Sequence, residues 1–158
     1  MGKHKDERFG THHARDAYHL FQTRGLELNL YSSALKLNTQ FMHVIHFNLR
    51  LRKPTTMEEI HRRVDANDRI ATTYKLTANS VFSFGRDHGY FGRIMNQTVL
   101  PMETLALSDG GKEIVGFCFT PQDGNSILSS IAASAWALYP EDYEARIQPL
   151  KRWFFDEV

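Results

Sequence analysis

Histidine is the residue type in this chain with the most capacity for chemistry at neutral pH. Eight of the 158 residues are histidine, and imidazole, with an unperturbed pKa of about 6.5, is well suited to proton transfer. His12 and His13 are adjacent, and Arg15 and Asp16 follow them closely. A histidine with a carboxylate or a cation nearby is typical of a general base, although a solvated pair near a loose terminus fits the same sequence. The pair is the first candidate catalytic site.

The other ligand-type and nucleophilic side chains point to structural roles. His43 and His46 are three residues apart on a predicted strand, so they lie on opposite faces and are badly placed for one metal ion. Cys118 lies between Phe117 and Phe119 in an alternating apolar run. A reactive thiol needs a helix N-terminus or cationic neighbours, so the run favours an inert, structural cysteine.

Two further patterns fall short of a known motif. Glu58 and His61 would share a helix face, but a carboxylate-bridged metal site needs a second such pair and further glutamates. The glycines within 85–92 match neither the dinucleotide fingerprint nor the phosphate loop. Residues 86–88 form a charged patch that either binds an anion or makes surface ion pairs of little energetic value. The sequence predicts no metal site.

Composition narrows the class of protein. Apolar residues make up 42% and charged residues 23%, with a formal net charge of +1, which is ordinary for a globular domain and argues against a nucleic-acid-binding protein. No apolar run approaches the roughly 20 residues of a membrane helix, and residues 1–16 do not resemble a signal peptide. With one cysteine there is no intrachain disulfide framework. We expect a cytoplasmic protein with no nucleic-acid or membrane partner.

Periodicity and turn signals predict the elements that must position these side chains. Helices are expected over 12–22, about 55–66 and about 126–138, and strands over 26–31, 45–51, 69–74, 97–107 and 112–120. Residues 79–93 are ambiguous, because apolar residues recur at helical spacing while glycines weaken a helix. Thr55 to Glu58 fits a capping box, and Asp109-Gly110-Gly111 is a good hairpin turn.

This order of elements predicts the fold class. Adjacent strands joined by short turns pair antiparallel. The predicted class is therefore α+β, a mostly antiparallel sheet with helices packed on one face.

Four segments of the chain occur in an order and spacing similar to one known family. They are HHARD at 12–16, ALKLNTQFMH at 34–43, RKPTTMEEI at 52–60 with NDRI at 67–70, and SVFSFGRDHGYFGR at 80–93 followed by TPQDGNSILSSIAA at 120–133. Together they resemble the C-terminal catalytic domain of the archaeal type (type II) of glyceraldehyde-3-phosphate dehydrogenase, including its His-His-Gly-Pro-Asp stretch and its Phe-Ala-Arg-Asp helix. The related semialdehyde dehydrogenases share this architecture.

The resemblance implies an NAD- or NADP-dependent enzyme acting on a phosphorylated aldehyde. In that family a cysteine thiolate attacks the aldehyde, hydride passes to the nicotinamide, and phosphate releases the acyl group. By position, His12 or His13 would activate the thiol, and Thr39 would approach the substrate phosphate. The family's nucleophilic cysteine and nucleotide-binding half would precede Met1. We therefore expect the isolated chain to be inactive, and to work with that missing half or as a homo-oligomer.

The expected organisation has three parts: a flexible N-terminal segment 1–11, a dehydrogenase catalytic-type domain 12–138 and a C-terminal extension 139–158. Trp153, Phe154 and Phe155 in the extension suggest a segment that docks on another surface, because exposed aromatic clusters usually mark interfaces. The alternative function is a non-enzymatic binding or scaffold domain built on the same fold.

Overall fold

A computed structural model describes residues 6–34, 42–90, 97–121 and 127–158. The chain forms two compact units, residues 1–38 and residues 39–158, named here the N-terminal unit and the C-terminal unit.

The N-terminal unit contains helix α1, His12–Gln22, over the predicted range. Phe9, Ala14 and Tyr18 form its small core, with Leu30 packed against them. Tyr18 also donates a hydrogen bond from its hydroxyl to the Glu27 carboxylate at 3.1 Å. The core of this unit is thus built from its own side chains.

The strand predicted over residues 26–31 is wrong. Residues 26–34 have no strand assignment and pair with no described strand. An alternating apolar pattern is typical of a half-buried strand, but a strand also needs a neighbour for its backbone hydrogen bonds. Here only Leu30 finds a packing partner in the core of the unit.

The C-terminal unit combines a sheet with several helices. Its strands are β1 (Met42–Arg50), β2 (Ile70–Thr73), β3 (Thr98–Pro101), β4 (Ala106–Ser108) and β5 (Glu113–Pro121). Its α-helices are α2 (Met57–Asp65), α3 (Ala78–Gly85), α4 (Ile127–Leu138) and α5 (Tyr143–Ile147). A π-helical turn, Arg86–Tyr90, continues α3, and a 3-10 helix, Gln148–Trp153, follows α5.

The sheet is mixed. Its strand order is β1-β5-β3-β2, with β4 also paired to β5. β5 is antiparallel to β1, β3 and β4, whereas β2 and β3 run parallel. The class is α+β as predicted, but the expectation of a mostly antiparallel sheet is wrong. The chain passes through α3 between β2 and β3, and such a crossover returns the second strand in the same direction as the first.

Helices cover both faces of the sheet. Val99 and Phe119 are paired across β3 and β5, and they share a core cluster with Val81 of α3. Their neighbours Leu100 and Cys118 belong to a second cluster with helix α2. Because successive strand residues point to opposite faces, α2 and α3 lie on opposite sides. The prediction of helices on one face is therefore wrong. Consecutive residues of β3 and β5 are apolar, so both faces of the sheet are apolar and each is covered by a helix.

Helix α2 begins one residue later than the predicted capping box. Thr56, not Thr55, is the N-cap, and its hydroxyl accepts a hydrogen bond from the Glu59 backbone N–H at 3.2 Å. The Glu59 carboxylate instead pairs with Arg62 and Arg63 of the same helix. The predicted hairpin turn is confirmed: residues 109–111 connect the antiparallel strands β4 and β5.

Candidate functional site

The predicted catalytic histidines open helix α1 in the N-terminal unit. The ring centroids of His12 and His13 are 3.9 Å apart, and both side chains are exposed. Asp16, the nearby carboxylate, pairs with Arg15 at 3.5 Å and forms no described bond to either imidazole. A general base is normally oriented by a third group. The described residues supply none, so the pair is accessible but not organised for catalysis.

The other residues implied by the dehydrogenase resemblance do not join this pair. Thr39, the predicted phosphate contact, lies outside the described residues. Cys118 is buried in β5, and burial raises its pKa from an ordinary 9.0 to about 11. Since the thiolate is the nucleophilic form, this cysteine is suited to packing, as its apolar neighbours in the sequence suggested.

The charged patch at residues 86–88 is part of an aromatic cluster. Arg86 pairs with Asp87 at 3.0 Å, which neutralises its charge locally. The His88 ring stacks on Phe84 with centroids 4.0 Å apart, and its Nδ1 lies 3.0 Å from the Phe84 carbonyl oxygen. Phe155 completes the cluster, 5.2 Å from the Phe84 ring. The patch therefore organises packing more than it offers a site for an anion.

No metal site forms among the described residues, where no group of three histidine, cysteine or carboxylate side chains comes together. His43 and His46 occupy alternate faces of β1, and the His46 ring lies 4.9 Å from that of Phe117.

A buried, fully hydrogen-bonded polar side chain lies at the β2 edge of the sheet. Gln97 is 2% exposed. Its amide nitrogen donates to the carbonyl oxygens of Phe155 at 2.8 Å and Asp68 at 3.2 Å. Its amide oxygen accepts from the Phe155 backbone N–H at 2.9 Å. One side chain thus binds both backbone groups of Phe155, which belongs to residues 154–158, named here the strap.

Helix α4 exposes several large apolar side chains and carries no charge. No charged residue occurs between Ile127 and Leu138. Leu128 is buried, but Ile131 is 41%, Trp136 59% and Leu138 72% exposed. A surface helix of a globular protein normally carries polar residues on its outer face, so α4 exposes apolar side chains that the described residues leave uncovered.

Sequence reasoning identified neither Gln97 nor α4 as part of a site, although it predicted that the aromatic segment 153–155 docks on another surface. A lone glutamine such as Gln97 carries no pattern, because its partners lie far away along the chain. The signal for the strap was present in the aromatic residues 153–155. The signal for α4 was the absence of charge between Ile127 and Leu138, which matches no known motif.

Comparison with known proteins adds no relative: no family model, no curated protein and no solved structure matches this chain. The dehydrogenase resemblance therefore stays a prediction. Every helix in the part of the chain that the structure describes is too short or too polar to cross a membrane.

Proposed function

We propose that the C-terminal unit is a non-enzymatic binding domain that docks a protein partner on helix α4. The exposed apolar side chains of this charge-free helix carry the proposal. Ile131 and Leu138 are seven residues apart and so share one helix face, and exposed apolar surface of this kind usually marks an interaction site. The described residues also assemble no nucleophile with a base, which is the arrangement that covalent catalysis needs.

The charges beside α4 define the chemistry of the partner. Glu141 and Glu144 lie just beyond the end of the helix, are exposed, and form no ion pair with another described residue. Complementary interfaces place opposite charges around an apolar centre. The partner surface is accordingly an apolar patch rimmed by lysine or arginine side chains.

Photo-crosslinking in the source cells tests this proposal directly. A photoreactive amino acid is incorporated at position 138 on α4, or, as the control, at position 74. Tyr74 is a good control because it is 70% exposed and lies outside α4. We expect an adduct of discrete mass from position 138 and none from position 74. Equal adducts from both positions, or none from either, would contradict the proposal.

Two double variants test the same interface. The measured quantity is the molecular mass of the native assembly that contains this chain. The double substitution Ile131→Gln with Leu138→Gln removes two exposed apolar side chains from one helix face, and loss of a hot-spot anchor costs about 2 kcal/mol or more. We expect the assembly to dissociate. The control double substitution Tyr74→Ser with Leu76→Gln removes exposed apolar groups outside α4 and should leave the assembly intact.

A second candidate is the dehydrogenase function, as the C-terminal catalytic and assembly portion of an NAD- or NADP-dependent enzyme for a phosphorylated aldehyde. One observation favours it: the His12 and His13 rings are exposed and in contact, so a thiol and an aldehyde held by a second polypeptide have access to them. One imidazole would take the thiol proton, and hydride would pass from the hemithioacetal to the nicotinamide.

Reconstitution separates the two candidates. The chain is mixed with a nucleotide-binding half of this dehydrogenase family that retains its cysteine, and reduction of NAD or NADP is followed with glyceraldehyde 3-phosphate and phosphate present. The dehydrogenase candidate requires activity that the His12→Asn with His13→Asn variant lowers. Absence of cofactor reduction, with both polypeptides folded, eliminates it.

A further inference from the structure

The strap extends the sheet of the C-terminal unit beyond β2. The Thr72 backbone N–H donates to the Asp156 carbonyl oxygen, and the Val158 N–H donates to the Thr72 carbonyl oxygen, both at 2.9 Å. Thr72 and Glu157 form a parallel bridge. Residues 156–158 thus occupy the position of an added strand on the edge that β2 would otherwise present.

Two apolar anchors, three residues apart, hold the strap. Val158 is buried in the cluster that contains Ala71 and Val81, while Phe155 packs on that cluster and lies 5.2 Å from Phe84. The side chains between the anchors, Asp156 and Glu157, are exposed. The edge therefore selects an aromatic residue and a branched aliphatic residue, and leaves the two positions between them unrestricted.

The remaining contacts recognise backbone. Gln97 forms a reciprocal pair with the N–H and carbonyl of Phe155. The Thr73 hydroxyl donates to the Val158 carbonyl oxygen at 2.6 Å. Main-chain hydrogen bonds combined with pockets for spaced side chains are the features of peptide recognition by strand addition.

The segment that carries the strap has little buried surface of its own. The helix α5 and the following 3-10 helix, Gln148–Trp153, contain no buried residue. The ion pair of Lys151 with Asp68, at 2.5 Å, joins two half-exposed side chains, and such pairs contribute little. Segments with few buried contacts open locally before the whole unit unfolds.

From these contacts we infer that the β2 edge is a peptide-binding site and that the strap is its built-in competitor. The ligand is an extended peptide with an aromatic residue and, three positions later, a β-branched aliphatic residue. This site uses a surface different from α4, and it stands whether or not α4 docks a partner.

A labelled, amidated peptide of the sequence of residues 152–158, RWFFDEV, is the probe. In the wild-type chain the strap competes at an effective concentration on the order of millimolar, so micromolar peptide should remain free. The Phe155→Ala variant of the full chain loosens the strap. We expect it to bind the peptide at least about tenfold more tightly than wild type does.

Two controls test whether the binding is specific. Glu157→Ala changes an exposed strap side chain, so this variant should exclude the peptide as wild type does. In a second peptide both anchors are replaced: the phenylalanine at the position of Phe155 by alanine and the valine at the position of Val158 by serine. This peptide should not bind any variant. A folded Phe155→Ala chain that binds neither peptide, or both equally, overturns the proposal.

Hydrogen exchange of the wild-type chain tests the proposal without a substitution. The Thr72 and Val158 amides join the strap to β2. We expect them to exchange at least about tenfold faster than the most protected amides of β5, because the strap opens by a local route. Exchange of both sets at the same rate shows that the strap is a permanent strand and overturns the proposal.

Discussion

Gln97 connects two backbone segments that are far apart along the chain. Its amide bonds to Asp68, just before β2, and to Phe155 in the strap. A buried amide in this position is well tolerated because each of its hydrogen-bonding atoms has a partner. Removing it would leave three backbone groups without theirs.

We therefore predict that Gln97→Leu lowers the free energy of unfolding by about 3 kcal/mol, since each buried group left unsatisfied costs roughly 1–3 kcal/mol. Urea denaturation measures the change. Gln148→Leu is the control: that side chain is exposed and bonds only to the Glu144 carbonyl oxygen at 3.3 Å. Comparable losses for the two variants would contradict the assigned role of Gln97.

Cys118 gives a prediction about pH. A pKa raised from 9.0 to about 11 makes the thiolate about 100-fold rarer than in the unfolded chain at pH 8. Labelling of the native protein by a thiol reagent should be slower than labelling in urea by at least that factor. The native rate should then rise as the pH approaches 11. Equal rates at pH 8 would show that the thiol is accessible and that burial does not raise its pKa.

At the scale of elements, local sequence signals found helices α1, α2 and α4 with their approximate ends, whereas α3 lies in the stretch left ambiguous and α5 was not predicted. Helix α1 spans 12–22 as predicted, and α4 begins at Ile127 within a residue of its prediction. The capping box was misplaced by one residue, because Thr55 and Thr56 are both competent caps and only the surrounding backbone decides between them. In the structure the Thr55 backbone N–H donates to the Gly111 carbonyl oxygen instead.

The two threonines provide a matched test of the α2 cap. Thr56→Ala removes the oxygen that accepts from the Glu59 N–H and should cost about 1 kcal/mol of stability. Thr55→Ala removes the same atoms one residue earlier, where no hydroxyl hydrogen bond is described, and should cost less than half as much. Thermal or urea unfolding of the two variants measures both losses of stability. A larger loss of stability for Thr55→Ala would show that Thr55, not Thr56, caps the helix.

At the scale of the whole molecule, each unit has a core of its own residues. The N-terminal unit is held by Phe9, Ala14 and Tyr18, whereas the two clusters of the C-terminal unit contain residues from Met42 onwards. Both tryptophans of the chain, Trp136 and Trp153, lie in the C-terminal unit. Tryptophan fluorescence therefore reports on that unit.

This division predicts separable unfolding. Tyr18→Ala should reduce the helical circular dichroism of α1 while leaving the fluorescence-detected transition within about 0.5 kcal/mol of wild type. Val81→Ala, at a fully buried position of the C-terminal unit, should shift that transition by about 2 kcal/mol. A shift of the fluorescence transition by Tyr18→Ala as large as that by Val81→Ala would mean that the units unfold together.

The sequence by itself determined what depends on neighbours along the chain: the ranges of α1, α2 and α4, the turn at residues 109–111, the inert setting of Cys118 and the α+β class. Tertiary structure alone decided the parallel pairing of β2 with β3, the helices on both faces, and the strap on the β2 edge. The physical reason is the separation along the chain of the residues that interact. Helix periodicity and caps act over a few residues, whereas Gln97 and Thr72 meet the strap across most of the C-terminal unit, and no local pattern encodes such a contact.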